Sequence, residues 1–292
     1  MKILAIALAT LAFGSISAQE YTFKVLINKG QNSMKAGNDW LPIKVGASLG
    51  SIDELKVSQN GYLGLVHVSG KPLEVKDAGQ HKVVDLAAKV SGGTSVLNKY
   101  TDFILSSKTE KRSNLTATGA VNRGVGEIKM FLPRPQQAIV YNDEILLSWT
   151  KKEKTSVYVL QFNSMFGDEL QRFEVRDTTL SINLNASEFV NEDNIVVKVF
   201  SKSDPKTTSI DFVLKKLSPG DKKRLSAALS EIAVQTRERN ALNQLYLASF
   251  YEENALLIDA STAYQNAIRL APEVPDFREA YRQFILRNSM IN

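Results

Sequence analysis

His67 and His81 are the chain's two histidines, each flanked by valine or lysine at the spacing of an extended strand. A zinc site needs three or four converging ligands, and there is no third histidine, no cysteine and no His-Glu-x-x-His helix to complete one. Paired carboxylates occur at Asp53-Glu54, Asp143-Glu144, Asp168-Glu169, Glu192-Asp193 and Glu252-Glu253. Two acids across a cleft can act as general acid and base, but adjacent acids also belong to solvated turns and helix faces. Gly119-Ala120-Val121-Asn122-Arg123-Gly124 brings glycines beside an arginine, yet lacks the preceding strand and following helix of a phosphate cradle. No Gly-x-Ser-x-Gly elbow occurs. The sequence therefore points away from an enzyme, and no catalytic, cofactor-binding or metal-ligating residue is assigned.

Recognition is the chemistry that remains. Between Asn240 and Val274, Leu247, Ala248 and Tyr251 fall on one helical stretch and Ala260, Tyr264 and Ala267 on a second. Pro272 stands where the second must stop. Small residues at Ala248, Ala260 and Ala267 allow close approach of two antiparallel helices, and the larger ones interlock. This uninterrupted spacing resembles a tetratricopeptide repeat, with Gln244 where that family carries a tryptophan. The resemblance implies a helix pair that binds peptides or protein surfaces. A single repeat cannot bury both faces, so a helix from Asp221 and a final one from Asp276 to Arg287 are expected to flank it. The groove of so short an array is shallow, which leaves the helices to dock on the preceding β domain or on one large partner. A plain hairpin capping that domain would use the same alanines and tyrosines.

The elements before the helices read as strands. From Tyr21 to about Val90, Tyr21, Phe23, Val25 and Ile27 alternate, then Leu63, Leu65, Val66 and Val68, then Leu73 and Val75, with turn formers such as Asn60-Gly61 and Ser69-Gly70 between. This predicts an all-β unit of about seven strands, closed by a helix over 92–106 carrying Val96, Leu97, Tyr100, Phe103 and Ile104. The run Trp40-Leu41-Pro42-Ile43-Lys44-Val45-Gly46, then Asp53-Glu54-Leu55-Lys56-Val57, Gly61-Tyr62-Leu63-Gly64-Leu65 and Gly70-Lys71-Pro72-Leu73-Glu74-Val75 resembles the FecR-type domain. That resemblance implies an envelope β module in a signalling or scaffold protein. The cytoplasmic tail and membrane helix of transmembrane anti-sigma members have no counterpart.

Residues 107–127 turn polar and glycine-bearing and read as a linker. Alternation returns over 128–217, predicting about seven strands of a β-sandwich with Trp149 in its core. Leu132-Pro133-Arg134-Pro135, Leu146-Leu147-Ser148-Trp149 and the run from Asn194 to Phe200 resemble a fibronectin type III or immunoglobulin-like domain without a disulfide. Asp177-Thr178-Thr179 is similar to the acceptor of periplasmic O-glycosylation in Bacteroidetes, which would make Thr178 the modified residue. At Ser218-Pro219-Gly220-Asp221 the period changes to that of helices, and 218–292 forms the helical domain.

Lys2, an apolar run from Ile3 to Phe13 and small residues to Ala18 form the layout of a cleavable secretory signal over 1–18, so that the mature chain 19–292 begins with the 19–106 unit. No later segment is apolar enough to span a membrane. The chain has 36 Lys and Arg against 31 Asp and Glu, a small surplus spread along its length, which argues against nucleic acid as a partner. The expectation is a multidomain exported protein, all-β then all-α, in the periplasm or against the outer membrane of a bacterium. It would act as a non-enzymatic adaptor for envelope proteins. The alternative is a cell-wall glycan (peptidoglycan) binder that stacks sugars on Trp40, Tyr62 and Tyr21. No cofactor is expected.

Overall fold

β1 (Phe23–Lys29) breaks the simple alternation of the N-terminal strands. In this computed structural model, which describes residues 21–90, 96–109, 128–133, 137–236 and 238–290, Phe23 and Val25 face one core. A register shift between Val25 and Ile27 turns Leu26 and Ile27 into a different one. One inserted residue is what a β-bulge supplies, and the period-two reading, which put Ile27 with Phe23, could not show it. The signal segment 1–18, residues 110–127 of the linker and the Gly119–Gly124 run within it lie outside the described residues.

The first half continues with β2 (Ser33–Ala36), β3 (Asp39–Pro42), β4 (Ser48–Leu49), β5 (Glu54–Val57), β6 (Tyr62–His67), β7 (Pro72–Val75) and β8 (Gly79–Lys82). They form two four-stranded sheets, ordered β4-β1-β6-β7 and β3-β2-β5-β8. Phe23, Val25, Leu55, Val57, Leu63 and Leu65 fill the space between them. Val83–Ala88 then forms a short helix, α1, where Val83 and Val84 suggest continued strand. Six residues with two buried side chains are too few for a helical period to show. α2 spans Asn98–Thr109, later than the 92–106 the spacing predicts.

β9 (Gln137–Val140), β10 (Glu144–Ser148), β11 (Tyr158–Asn163), β12 (Glu169–Val175), β13 (Thr179–Asn183), β14 (Asn194–Ser201) and β15 (Phe212–Lys216) build a second β unit. Its five-stranded sheet runs β12-β11-β14-β15-β9 and faces the pair β10-β13, with β15 and β9 parallel and the other neighbours antiparallel. Trp149, Tyr158, Phe162, Phe189 and Leu147 are buried in its core.

Helices follow the strands. α3 (Pro219–Gln235) starts at Ser218, whose hydroxyl accepts from the Asp221 N–H, with Pro219 in the first turn. α4 (Ala241–Glu253) is capped by the Asn240 side chain, which accepts from Asn243 N–H. α5 (Leu257–Leu270) follows after three residues, and α6 (Pro275–Arg287) after a turn that contains Pro272. α4 buries residues all round its circumference, as a helix does when other elements surround it. No helix among the described residues is long and apolar enough to cross a membrane.

Candidate functional site

The α4–α5 hairpin joins the two β units. Ala248, Ala260 and Ala267 are fully buried, Tyr251 and Tyr264 nearly so, and Leu247 is half-buried. Pro272 is exposed in the turn that ends α5. The three alanines belong to the core the helices share, and the Tyr264 ring lies tilted beside that of Phe284 of α6, 4.9 Å between ring centroids.

One side of the hairpin lies on the first β unit. Leu26, Ile27, Tyr62 and Val66, on the face of the β1–β6 sheet away from its own core, pack with the helices. Gly64 lets the helices come close on that face: a Cβ there would crowd Ile27 Cβ at 3.1 Å and touch Leu242 Cδ1 at 3.5 Å. Phe277 of α6 meets Tyr62 edge-on at 5.9 Å. Glu74 on β7 caps α4, accepting from Leu242 N–H and from the Tyr62 hydroxyl, both at 2.7 Å, with Lys76 Nζ at 2.6 Å. α2 joins the same cluster rather than closing the β unit alone: Leu97, Tyr100 and Ile104 are buried there, and Thr101 shares a 2.9 Å hydrogen bond with Tyr246.

The other side adds polar contacts to apolar ones, with Tyr251 of α4 beside Tyr141, 6.4 Å between ring centroids. Asp259, in the first turn of α5 and 1% exposed, accepts from the Tyr141 N–H at 2.9 Å and the Asn142 N–H at 2.8 Å. Burial pushes its carboxyl up to about 6, against the pull of those hydrogen bonds. Thr262 accepts from Leu146 N–H of β10 at 3.0 Å, which satisfies a donor on a strand whose only ladder partner among the described residues is β13. Ile258 inserts into the core of the second β unit. Tyr251 donates to Asn142, and its hydroxyl is held protonated chiefly by burial.

Glu252 then ties α4 to α5 and α6. Arg287 donates to both its oxygens at 3.0 to 3.2 Å, the Tyr264 hydroxyl donates at 3.0 Å and Asn288 Nδ2 at 2.9 Å. As one of a carboxylate pair Glu252 carried no signal in the sequence, and neither did Asp259 or Glu74. Each acts through a partner far along the chain, so only the fold reveals it.

The remaining sequence candidates are dispersed. His67 on β6 hydrogen-bonds Ser69 and is shifted down by burial and then by Lys71, while His81 is on β8 of the other sheet and hydrogen-bonds the Asp77 carbonyl. Among the described residues no three His, Asp or Glu side chains converge to hold a metal. Trp40 is half-buried on β3, Tyr21 precedes β1, and Tyr62 is 1% exposed under the helices, so the three rings do not form a common stacking face. Thr178 is half-buried in the turn between β12 and β13, its carbonyl accepting from Trp149 N–H and its N–H donating to Asp177. Compared with known proteins, the chain matches no family model and no curated protein.

Proposed function

We propose that the protein is a non-enzymatic scaffold of a bacterial envelope, exported by its N-terminal segment and working through protein–protein contacts. The observation that carries this reading is the α4–α5 hairpin, bound on one side to the β1–β6 sheet and on the other to the β9–β10 turn. A hairpin so placed fixes the spacing of two β units, which is what a scaffold must do. The tetratricopeptide resemblance gains support from helices of 13 and 14 residues joined by a short turn. α4 begins at Ala241 and α6 at Pro275, about the 34 residues of one repeat apart. The FecR-like and immunoglobulin-like readings are supported by two packed sheets in each unit, and Thr178 as a glycan acceptor by its place in a turn.

Because α4 is enclosed by the chain's own elements, the docking face for an envelope partner is the outside of α3 and α6, where Val234 is 75% and Leu286 49% exposed. Photo-crosslinking residues placed at Val234 and Leu286 of the intact chain in living cells test this, with Ile139 as a control. One shared envelope protein captured from both helical positions and not from Ile139 supports the scaffold. Equal capture from all three, or none with the protein folded, overturns it.

A further inference from the structure

The second β unit carries opposite charge at its two ends. Tyr158, at the start of β11, pairs with Val175 at the end of β12 and with Ser201 at the end of β14. Ser148, at the end of β10, pairs with Thr179, and the next residue, Trp149, donates its N–H to the Thr178 carbonyl at 3.0 Å. The loops after β10, β12 and β14 therefore lie together, and they bring Lys151, Lys152, Lys154, Arg176 and Lys206 to one end. Lys129 joins them through its N–H, which donates to the Thr150 hydroxyl at 3.0 Å. Lys202 is taken by Glu174 at 2.7 Å. The remaining acids there are Glu153, Asp177 and Asp204, three against six cations. Two of the three are tied to their own loops: Asp177 accepts from the Thr178 N–H and Asp204 from the Thr207 hydroxyl, each at 2.7 Å. Lys151, Lys154, Arg176 and Lys206 are exposed and make no ion pair among the described residues.

The other end holds the β11–β12 loop and the residues between β13 and β14. Asp168, Glu188, Glu192 and Asp193 there outnumber Lys215 and Lys216, beside a loop tip at which Phe166 is 95% exposed. A cationic end paired with an acidic one gives the unit a direction in an electric field. The cationic end lacks what a discrete ligand needs. Trp149 and Tyr158 beneath its loops are buried, so their rings are not offered to a sugar. Two cavities of about 330 Å³ lie elsewhere, one beside α1 and one beside α2. An anionic lipid surface requires neither ring nor pocket, because its headgroups move to meet the cations and each Lys or Arg brought near adds attraction. Cations on three loops at one end can face such a plane together, and the acidic end is turned away from it. Phe166 is at that repelled end, so the contact is electrostatic and not the insertion of an apolar anchor.

We propose that the loops after β10, β12 and β14 dock on an anionic lipid surface, so that the second β unit stands end-on upon a membrane. This goes beyond the scaffold reading, which concerns protein partners, and does not rest on it, because the purified chain and lipid suffice.

Flotation of the intact purified chain with vesicles tests it, phosphatidylglycerol mixed with phosphatidylcholine being compared with phosphatidylcholine alone. The wild type should float with the anionic vesicles at low salt, stay behind with the neutral ones and be released as salt rises. Lys151→Gln, Lys154→Gln and Lys206→Gln together should weaken binding about tenfold to a hundredfold, a few-fold for each cation removed. Removing as many charges from the first β unit, by Lys44→Gln, Lys56→Gln and Lys82→Gln, should change binding by less than about twofold, since those cations do not face the membrane. All six positions are exposed, and unchanged thermal unfolding establishes that each variant is folded. Binding that is absent, equal on neutral vesicles, or equally lost in both triple variants overturns the proposal. So does polygalacturonate, a soluble acidic polysaccharide, if it strips the chain from vesicles at equal charge concentration, because the surface would then be reading a glycan.

Discussion

The two junctions of the helical hairpin differ in how much of each is apolar. Against the first β unit it buries a sheet face, with Leu26, Ile27, Tyr62 and Val66 under Leu242 and Phe277. Against the second it inserts Ile258, sets Tyr251 beside Tyr141, and answers backbone donors with Asp259 and Thr262. An apolar junction has a strength set by area and is indifferent to pH. A junction of buried hydrogen bonds gains little from each bond but loses much when one partner is removed, and its carboxylate makes it answer to protons. The first junction therefore supplies most of the attachment, and the second fixes the orientation of the β unit it holds.

The largest effect should come from emptying the apolar junction. Phe277→Ala is expected to cost about 3–5 kcal/mol in urea unfolding, the range for a fully buried aromatic reduced to alanine. Asp259→Ala leaves two buried N–H groups without an acceptor and should cost about 2–4 kcal/mol in the same assay. A loss below that of an ordinary surface change at either position would erase the contrast between the junctions.

The junction with the second β unit also answers to pH. Burial holds the folded carboxyl of Asp259 at about 6, above its ordinary 3.8, so the folded chain binds the proton more tightly than the unfolded one. The resulting stability is complete below about pH 4 and is lost as pH rises through 6, by about 1–3 kcal/mol. Its neighbours are the tyrosines Tyr141 and Tyr251, with the ion pair of Asp143 and Lys222 beyond. Subtracting the profile of Asp259→Asn from that of the wild type should leave this fall, and a flat difference would remove the pH sensitivity assigned to the polar junction. Thr262→Val removes one acceptor and should cost about 1–2 kcal/mol. Phe166→Ser, remote from both junctions, should shift stability by less than about 0.5 kcal/mol.

What the sequence made legible follows the range over which each signal acts. The helix limits are written locally, in Ser218 with Pro219, in Asn240, and in Pro272 and Pro275, and the helices begin and end there. The order of strands then helices comes from hydrophobic period, another local signal. The bulge in β1 escaped because it is one residue against an otherwise regular alternation. The hairpin's alanines and tyrosines were legible as packing positions. What they pack against was not, since Glu74 reaches Leu242 and Asp259 reaches Tyr141 across most of a domain length. Phe166 had a readable signal: Met165-Phe166 between Ser164 and Gly167-Asp168 places two apolar residues where turn chemistry calls for polar ones.

The hairpin should hold the two β units in one fixed geometry. The chain has no cysteine, so spin labels on Ile52→Cys in the first unit and Val190→Cys in the second, both exposed, report their separation without background. A pulsed dipolar distance measurement should give one narrow distribution that broadens when Asp259→Ala is added. A broad distribution in the otherwise unaltered chain, or a narrow one indifferent to Asp259, would contradict the account.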